Sequence, residues 1–252
     1  MGHALITAGT SGLGRQVVQK FLEAGHCVTT TYHNHPEKAR QTEEELSLYK
    51  HLLHTEQADI TNKQDISRLV DSAVKHFGGV DYLINNAGPF VFERKKLLDY
   101  SDDEWHNLIN GNLNAAFYLL KQTIPHMREQ QFGRIINYGY QGADSAPGWM
   151  YRSAFAAAKS GLVSLTKTIA FEEANHHITS NMVCPGNIAG EMKEASIEES
   201  RHRPNDETPI GRPGTGEDIA RTILYLCDQD SDMITGAVVD VTGGIDVISQ
   251  YR

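Results

Sequence analysis

The stretch Thr7-Ala8-Gly9-Thr10-Ser11-Gly12-Leu13-Gly14 closes a short apolar run, residues 4–8, and opens a helix-length segment, residues 12–24, that ends at Gly25. Glycines at a strand-to-helix junction let the backbone turn tightly and approach a pyrophosphate. The helix start adds N–H donors and the positive end of its dipole. Many α/β turns need glycine only for a positive φ, so the stretch gains meaning from its place at the first βα turn and from the motifs further along the chain.

Outward from this turn, strand-like runs at 27–32, 51–58, 80–84, 134–138, 178–183 and 237–241 alternate with helical patterns at 37–49, 63–77, 101–129, 151–174 and 217–226. That alternation predicts an α/β fold of the three-layer Rossmann type: a doubly wound parallel sheet of about seven strands with helices on both faces. The 252 residues carry no repeat, low-complexity tract or linker, so 1–252 reads as one domain. Twenty-three basic and 32 acidic residues give a net charge of −9, which argues against nucleic acid or a membrane surface as partner. No apolar run reaches the roughly 18 residues of a membrane span, and Met1 leads straight into strand-like residues, with no signal peptide expected. Cys27, Cys184 and Cys227 are isolated in apolar surroundings and read as buried free thiols of a cytoplasmic protein. Twelve histidines include no ligand framework, so no metal site is expected.

The glycine stretch resembles the Thr-Gly-x-x-x-Gly-x-Gly fingerprint of the short-chain dehydrogenase/reductase family, with Ala8 in place of the first glycine. Further family motifs come in order: Asp59-Ile60, Asn85-Asn86-Ala87-Gly88, Pro185-Gly186 with Ile188, Pro209-Ile210-Gly211-Arg212-Pro213, and Ile234-Thr235-Gly236 through Gly243-Gly244. Where the family commonly has Thr, four residues after Gly186, stands Gly190. The resemblance implies a nicotinamide dinucleotide held by Gly9, Thr10, Ser11, Gly12, Leu13 and Gly14, by Tyr32 and His33, by Asp59 and Ile60, by Asn86, Ala87 and Gly88, by Lys159, and by Pro185, Gly186 and Ile188. An acid at the end of the second strand would accept from the ribose 2′-hydroxyl and repel a 2′-phosphate. Residues 30–34 read Thr-Thr-Tyr-His-Asn, so NADP(H) is expected over NAD(H), with Ser11 or Arg15 as helpers. The alternative is that Tyr32 and His33 only cover the adenine edge.

Carbonyl reduction needs a proton at the oxygen as hydride reaches the carbon. The family supplies it with Tyr-x-x-x-Lys, a Ser at the fifth strand end and an Asn in the long helix. Here Asn112 and Lys159 match, but the Tyr position is Phe155 and the Ser position is Tyr140. Tyr140 is expected to face the substrate oxygen opposite Phe155 and to replace the missing acid beside Lys159, with Tyr138 and Tyr151 as lesser candidates. Alternatively, Tyr140 packs on Phe155 as an aromatic pair. Length and C-terminal motifs resemble 3-oxoacyl-acyl-carrier-protein reductases, which implies a small-molecule or acyl-thioester substrate and a homodimer or homotetramer built on helices 101–129 and 151–174. The apolar faces of those helices are explained equally by packing on the sheet. Loops 89–100, 141–150 and 187–208 would meet the substrate through Phe90, Phe92, Trp149 and Met192. The segment 187–208 reads as a lid or as a surface excursion. Two non-enzymatic readings stay open: an NADP(H) sensor without turnover, and a structural relic that binds the cofactor weakly.

Overall fold

The computed structural model describes residues 1–246 and 248. β1 (His3–Ile6), β2 (Cys27–Tyr32), β3 (Leu53–Gln57), β4 (Tyr82–Asn85), β5 (Gly133–Tyr138), β6 (Ile178–Pro185) and β7 (Val238–Val241) form one sheet in the order β3-β2-β1-β4-β5-β6-β7. Every pairing is parallel. β1 and β6 are buried on both faces along nearly their whole length, with the polar His3, Ser180 and Asn181 buried among their apolar residues.

Helices α1 (Gly12–Glu23), α2 (Pro36–Glu45), α3 (Lys63–Phe77), α4 (Asp102–Ile109), α5 (Ala115–Gln130), α6 (Ser153–Glu172), α7 (Ile197–Arg201) and α8 (Gly216–Cys227) complete the layers. On one face Val17, Val18 and Phe21 of α1 and Ile219, Ile223 and Leu226 of α8 pack with Ile6, Ile84 and Ile136. On the other, Ile66, Leu69 and Val70 of α3 and Leu119 and Met127 of α5 pack with Leu5, Leu83 and Ile135. The alternation along each strand therefore decides which helix pair each residue meets.

The α/β class and the seven-stranded, all-parallel sheet agree with the sequence expectation, while several boundaries move. The helical pattern at 37–49 stops at Glu45 and finishes as a 3-10 turn, and the strand at 51–58 shortens to Leu53–Gln57. The helix expected over 101–129 is interrupted by a π-helical turn, Asn110–Asn114. There Asn112 sends its side-chain amide to the carbonyls of Leu108 (3.0 Å), one turn back, and of Pro89 (2.8 Å), in the loop after β4, and the helix widens by one residue. Segment 187–208 contains only a 3-10 turn, Gly190–Lys193, and the short α7. Cys27, Cys184 and Cys227 are buried free thiols. Among the described residues no helix is long and apolar enough to cross a membrane.

Candidate active site

Strand order reverses at β1, whose neighbours are β2 and β4, and there the crossovers leave to opposite faces. The crevice outside the carboxyl ends of β1 and β4 is therefore where the glycine turn must sit. Ala8 and Gly12 take positive φ values of 53° and 62°. Gly14 has no room for a side chain: a Cβ would stand 2.5 Å from the Ala8 carbonyl and 2.5 Å from Asn86 Nδ2. Thr31 Oγ1 accepts from the Ala8 N–H at 2.9 Å, fixing the turn from β2. From β4, Asn86 Nδ2 donates to the carbonyls of Thr7 (2.9 Å) and Ala8 (3.1 Å), while Thr7 Oγ1 accepts from the N–H groups of Asn86 and Ala87. Thr7, Thr31 and Asn86 thus position the turn. Thr31 carries no sequence signal for this role, because threonine in a strand reads only as a good strand former.

Ala8 occupies a left-handed conformation that costs an L-residue roughly 1 kcal/mol or more. Ala8→Gly should therefore stabilise the protein by about 0.5–1 kcal/mol, net of the extra chain entropy of glycine. The shift in urea midpoint at unchanged m-value checks it, and an Ala8→Gly protein less stable than wild type would contradict the strain.

At the rim, Tyr32 ends β2 and the exposed His33 places Nε2 3.8 Å from Asp59 Oδ2. Burial pushes the Asp59 carboxyl up, but the N–H and hydroxyl of Thr61, with His33 beside it, hold it below the usual range. Arg15, expected to help at a 2′-phosphate, is buried on α1 and pairs with Glu45 at 2.9 Å, so its charge is already matched. Beyond β6, Gly186 lies against the Thr242 backbone, 2.8 Å from where a Cβ would stand, and Ile188 packs toward Gly214. Gly190 takes φ 55° at the start of its 3-10 turn.

The π-turn brings Asn112 Oδ1 to within 2.5 Å of the position a Gly88 Cβ would fill. That oxygen is buried and accepts no hydrogen bond within the protein. A small cavity gathers Thr7, Ile60, Asn85, Ala87, Asn112 and Lys159. Lys159, 5 % exposed, is pushed down to about 8 by burial, with only the Cys184 thiol acting against the shift. Its Nζ lies 5.7 Å from the centre of the Phe155 ring.

Phe155 is enclosed by Phe90 (5.1 Å), Trp149 (6.0 Å) and Tyr140 (6.3 Å, centroid to centroid). Tyr140 neighbours Phe155 as expected, but its hydroxyl does not turn to the lysine. It donates to the Pro147 carbonyl at 3.2 Å and lies 3.4 Å from Ser160 Oγ, because the loop after β5 folds back over it. Burial pushes its phenol up, against the Ser160 hydrogen bond. Tyr138 packs among α1 and α8, on the sheet face away from α6. Tyr151 sits in a left-handed conformation with its ring 6.0 Å from the Arg94 guanidinium. Met192 is buried within the 3-10 turn, while Phe92 is largely exposed and packs edge-on to Phe90.

A nicotinamide dinucleotide fits what these residues offer. The turn with Gly9, Gly12 and Gly14 at a helix start suits a pyrophosphate, and the orphaned Asn112 Oδ1 and buried Lys159 lie further along the same crevice. Fold and site define a dinucleotide-binding Rossmann oxidoreductase. A family model described as "Enoyl-(Acyl carrier protein) reductase" matches residues 7–246, and the chain belongs to the short-chain dehydrogenase/reductase family. It is 57% identical over 253 residues to the "Putative oxidoreductase YtkK" of Bacillus subtilis (strain 168), covering 100% of this chain and 99% of the relative. It is 32% identical over 243 residues to the 3-oxoacyl-[acyl-carrier-protein] reductase FabG of Staphylococcus epidermidis, covering 96% and 98%. A solved Bacillus thuringiensis structure, described as a "putative 3-oxoacyl-reductase", superposes with a TM-score of 0.93 at 60% identity, covering 98% of this chain and 99% of that one.

Proposed function

We propose that the protein is a cytoplasmic, homo-oligomeric NADP(H)-dependent reductase of a small ketone or 3-oxoacyl thioester, in which Lys159 is the immediate proton source. The carrying observation is the gathering of Asn112 and Lys159 beside the Asn85–Gly88 turn, next to a Phe where the family acid would be. When bound, the nicotinamide supplies hydride to the carbonyl carbon. Phe155 has no proton to give, whereas an ammonium brought down to about 8 still carries one at neutral pH and releases it readily to a developing alkoxide. Asn112 Oδ1, free of internal partners, can accept from a relay water that returns the proton to the lysine. Phe90, Trp149, Phe155 and Tyr140 shape an apolar wall that excludes other water from the oxygen.

A second reading keeps Tyr140 as the acid, favoured by its ring beside Phe155. It requires the phenol to leave Pro147. The test is NADPH oxidation by the purified protein with acetoacetyl thioesters, diketones and quinones, repeated with Tyr140→Phe. Turnover within about threefold of wild type in the variant supports Lys159. A loss of 10²-fold or more with NADPH still bound would move the role to Tyr140. Tight NADPH binding with no turnover on any carbonyl would leave a sensor.

Cofactor choice rests on the acid-free end of β2. NADPH is expected to bind at least about tenfold tighter than NADH, and His33→Asp to reverse that order by repelling a 2′-phosphate. Fluorescence titration of both cofactors checks it. Equal affinity of the wild type for the two would contradict the preference.

A further inference from the structure

The first turn of α1, like those of α5 and α6, carries neither a side-chain N-cap nor an acid. Asn62, Ser101, Ser196 and Thr215 cap α3, α4, α7 and α8 with their side chains, each with acids in the first turn behind it. Ser11, at the N-cap of α1, makes no side-chain cap, and the first turn holds no acid. The charge that such a helix start attracts comes instead from far along the chain. Glu194 Oε1 accepts from the Gly12 N–H at 2.5 Å. Its own carbonyl accepts from the side-chain amide of Gln16, a buried residue one turn further on. The preceding residue reinforces the contact: the Lys193 carbonyl fills the space a Gly216 Cβ would take, and the Lys193 side chain approaches Gly12. Behind it, the Ile197 N–H donates to Glu217 Oε2 at 2.7 Å, and Glu217 pairs with Lys20 of α1.

We propose that Glu194 is a latch on the dinucleotide site: its carboxylate takes the Gly12 N–H that a cofactor pyrophosphate needs, and must leave it when the cofactor binds. A carboxylate and a pyrophosphate compete for the same N–H donor, and two anions repel at one helix start. The latch belongs to the segment after Pro185-Gly186, so its release frees the 3-10 turn Gly190–Lys193 from α1. Apparent cofactor affinity is then the intrinsic affinity reduced by the fraction of molecules with the latch open. This rests on the cofactor reading above, and ligands that carry or lack a pyrophosphate separate the two.

The experiment is calorimetric titration of wild type, Glu194→Gln and Glu194→Ala with NADPH, ADP-ribose and 2′-AMP. Both variants should bind NADPH and ADP-ribose roughly tenfold tighter than wild type, while 2′-AMP, which has no pyrophosphate, binds all three proteins alike. Hydrogen exchange at residues 190–196 should in addition be faster in Glu194→Ala than in wild type before any ligand is added. Unchanged NADPH affinity in both variants would overturn the latch and leave the cofactor site intact. An equal gain for 2′-AMP would overturn it too, by showing a general loosening. No NADPH binding by any of the three would overturn the latch together with the cofactor reading.

Discussion

Lys159→Met is expected to lower carbonyl reduction by about 10²–10⁴-fold while making the folded protein more stable at neutral pH. Loss of rate with gain of stability distinguishes a functional buried charge from a structural one. Burial brings the Lys159 ammonium down from the ordinary 10.5 to about 8. At about 1.4 kcal/mol per pH unit, the charged lysine costs the native state on the order of 3 kcal/mol. Above pH 10.5 the amine is neutral in both folded and unfolded chains and the cost vanishes. Between 10.5 and about 8 the unfolded chain takes up the proton first, so native stability falls as pH falls. Below about 8 the full cost is present. The methionine variant escapes it, so its advantage in urea melts should be largest near pH 7 and shrink toward pH 10.5. A variant no more stable at pH 7 would contradict the burial cost, and one that keeps the wild-type rate would contradict the proton-source role.

Phe155→Tyr is expected to raise the rate of carbonyl reduction by at least about tenfold. Residues 155 and 159 are one helical turn apart on α6, and Lys159 Nζ already lies 5.7 Å from the Phe155 ring centre. A phenol added there meets a cation that lowers its pKa, and a positioned acid is worth roughly 10²–10⁴-fold when none is present. The gain is smaller here because the native lysine already supplies part of it. Phe90, Trp149 and Tyr140 crowd the ring, so some of the effect is offset by repacking. Steady-state kinetics with one 3-oxoacyl thioester measures it. A rate no higher than wild type in a folded, NADPH-binding variant would show that position 155 does not face the reacting oxygen.

The sheet and its crevice were legible because their signals are local. Short strand-like runs alternating with helical patterns give a parallel sheet, and the glycines at 12 and 14 stand where a turn needs a positive φ or lacks space for a Cβ. Asn112 and Lys159 were found by motif, and the structure brings them together on one cavity. What was hidden depends on contacts between distant residues. A helical pattern continues unbroken through Asn110–Asn114, and only the Pro89 carbonyl, 23 positions earlier, reveals why the helix widens there. The direction of the Tyr140 hydroxyl is set by how the loop to Pro147 folds back, which residue types do not encode. Nothing around Glu194 in the chain points to α1. Its acid sits in a polar stretch that reads as a lid or a surface excursion without naming what it would touch, and the contact spans 182 positions.

The most direct test of the central claim is the pH dependence of kcat for NADPH-dependent reduction of an acetoacetyl thioester. With Lys159 as the proton source, kcat is level at neutral pH and falls tenfold per unit above a midpoint near 8, where the ammonium loses its proton. The fall should be absent from the residual rate of Lys159→Met. A rate level to pH 10 in the wild type, or a midpoint unmoved in Lys159→Met, would contradict it.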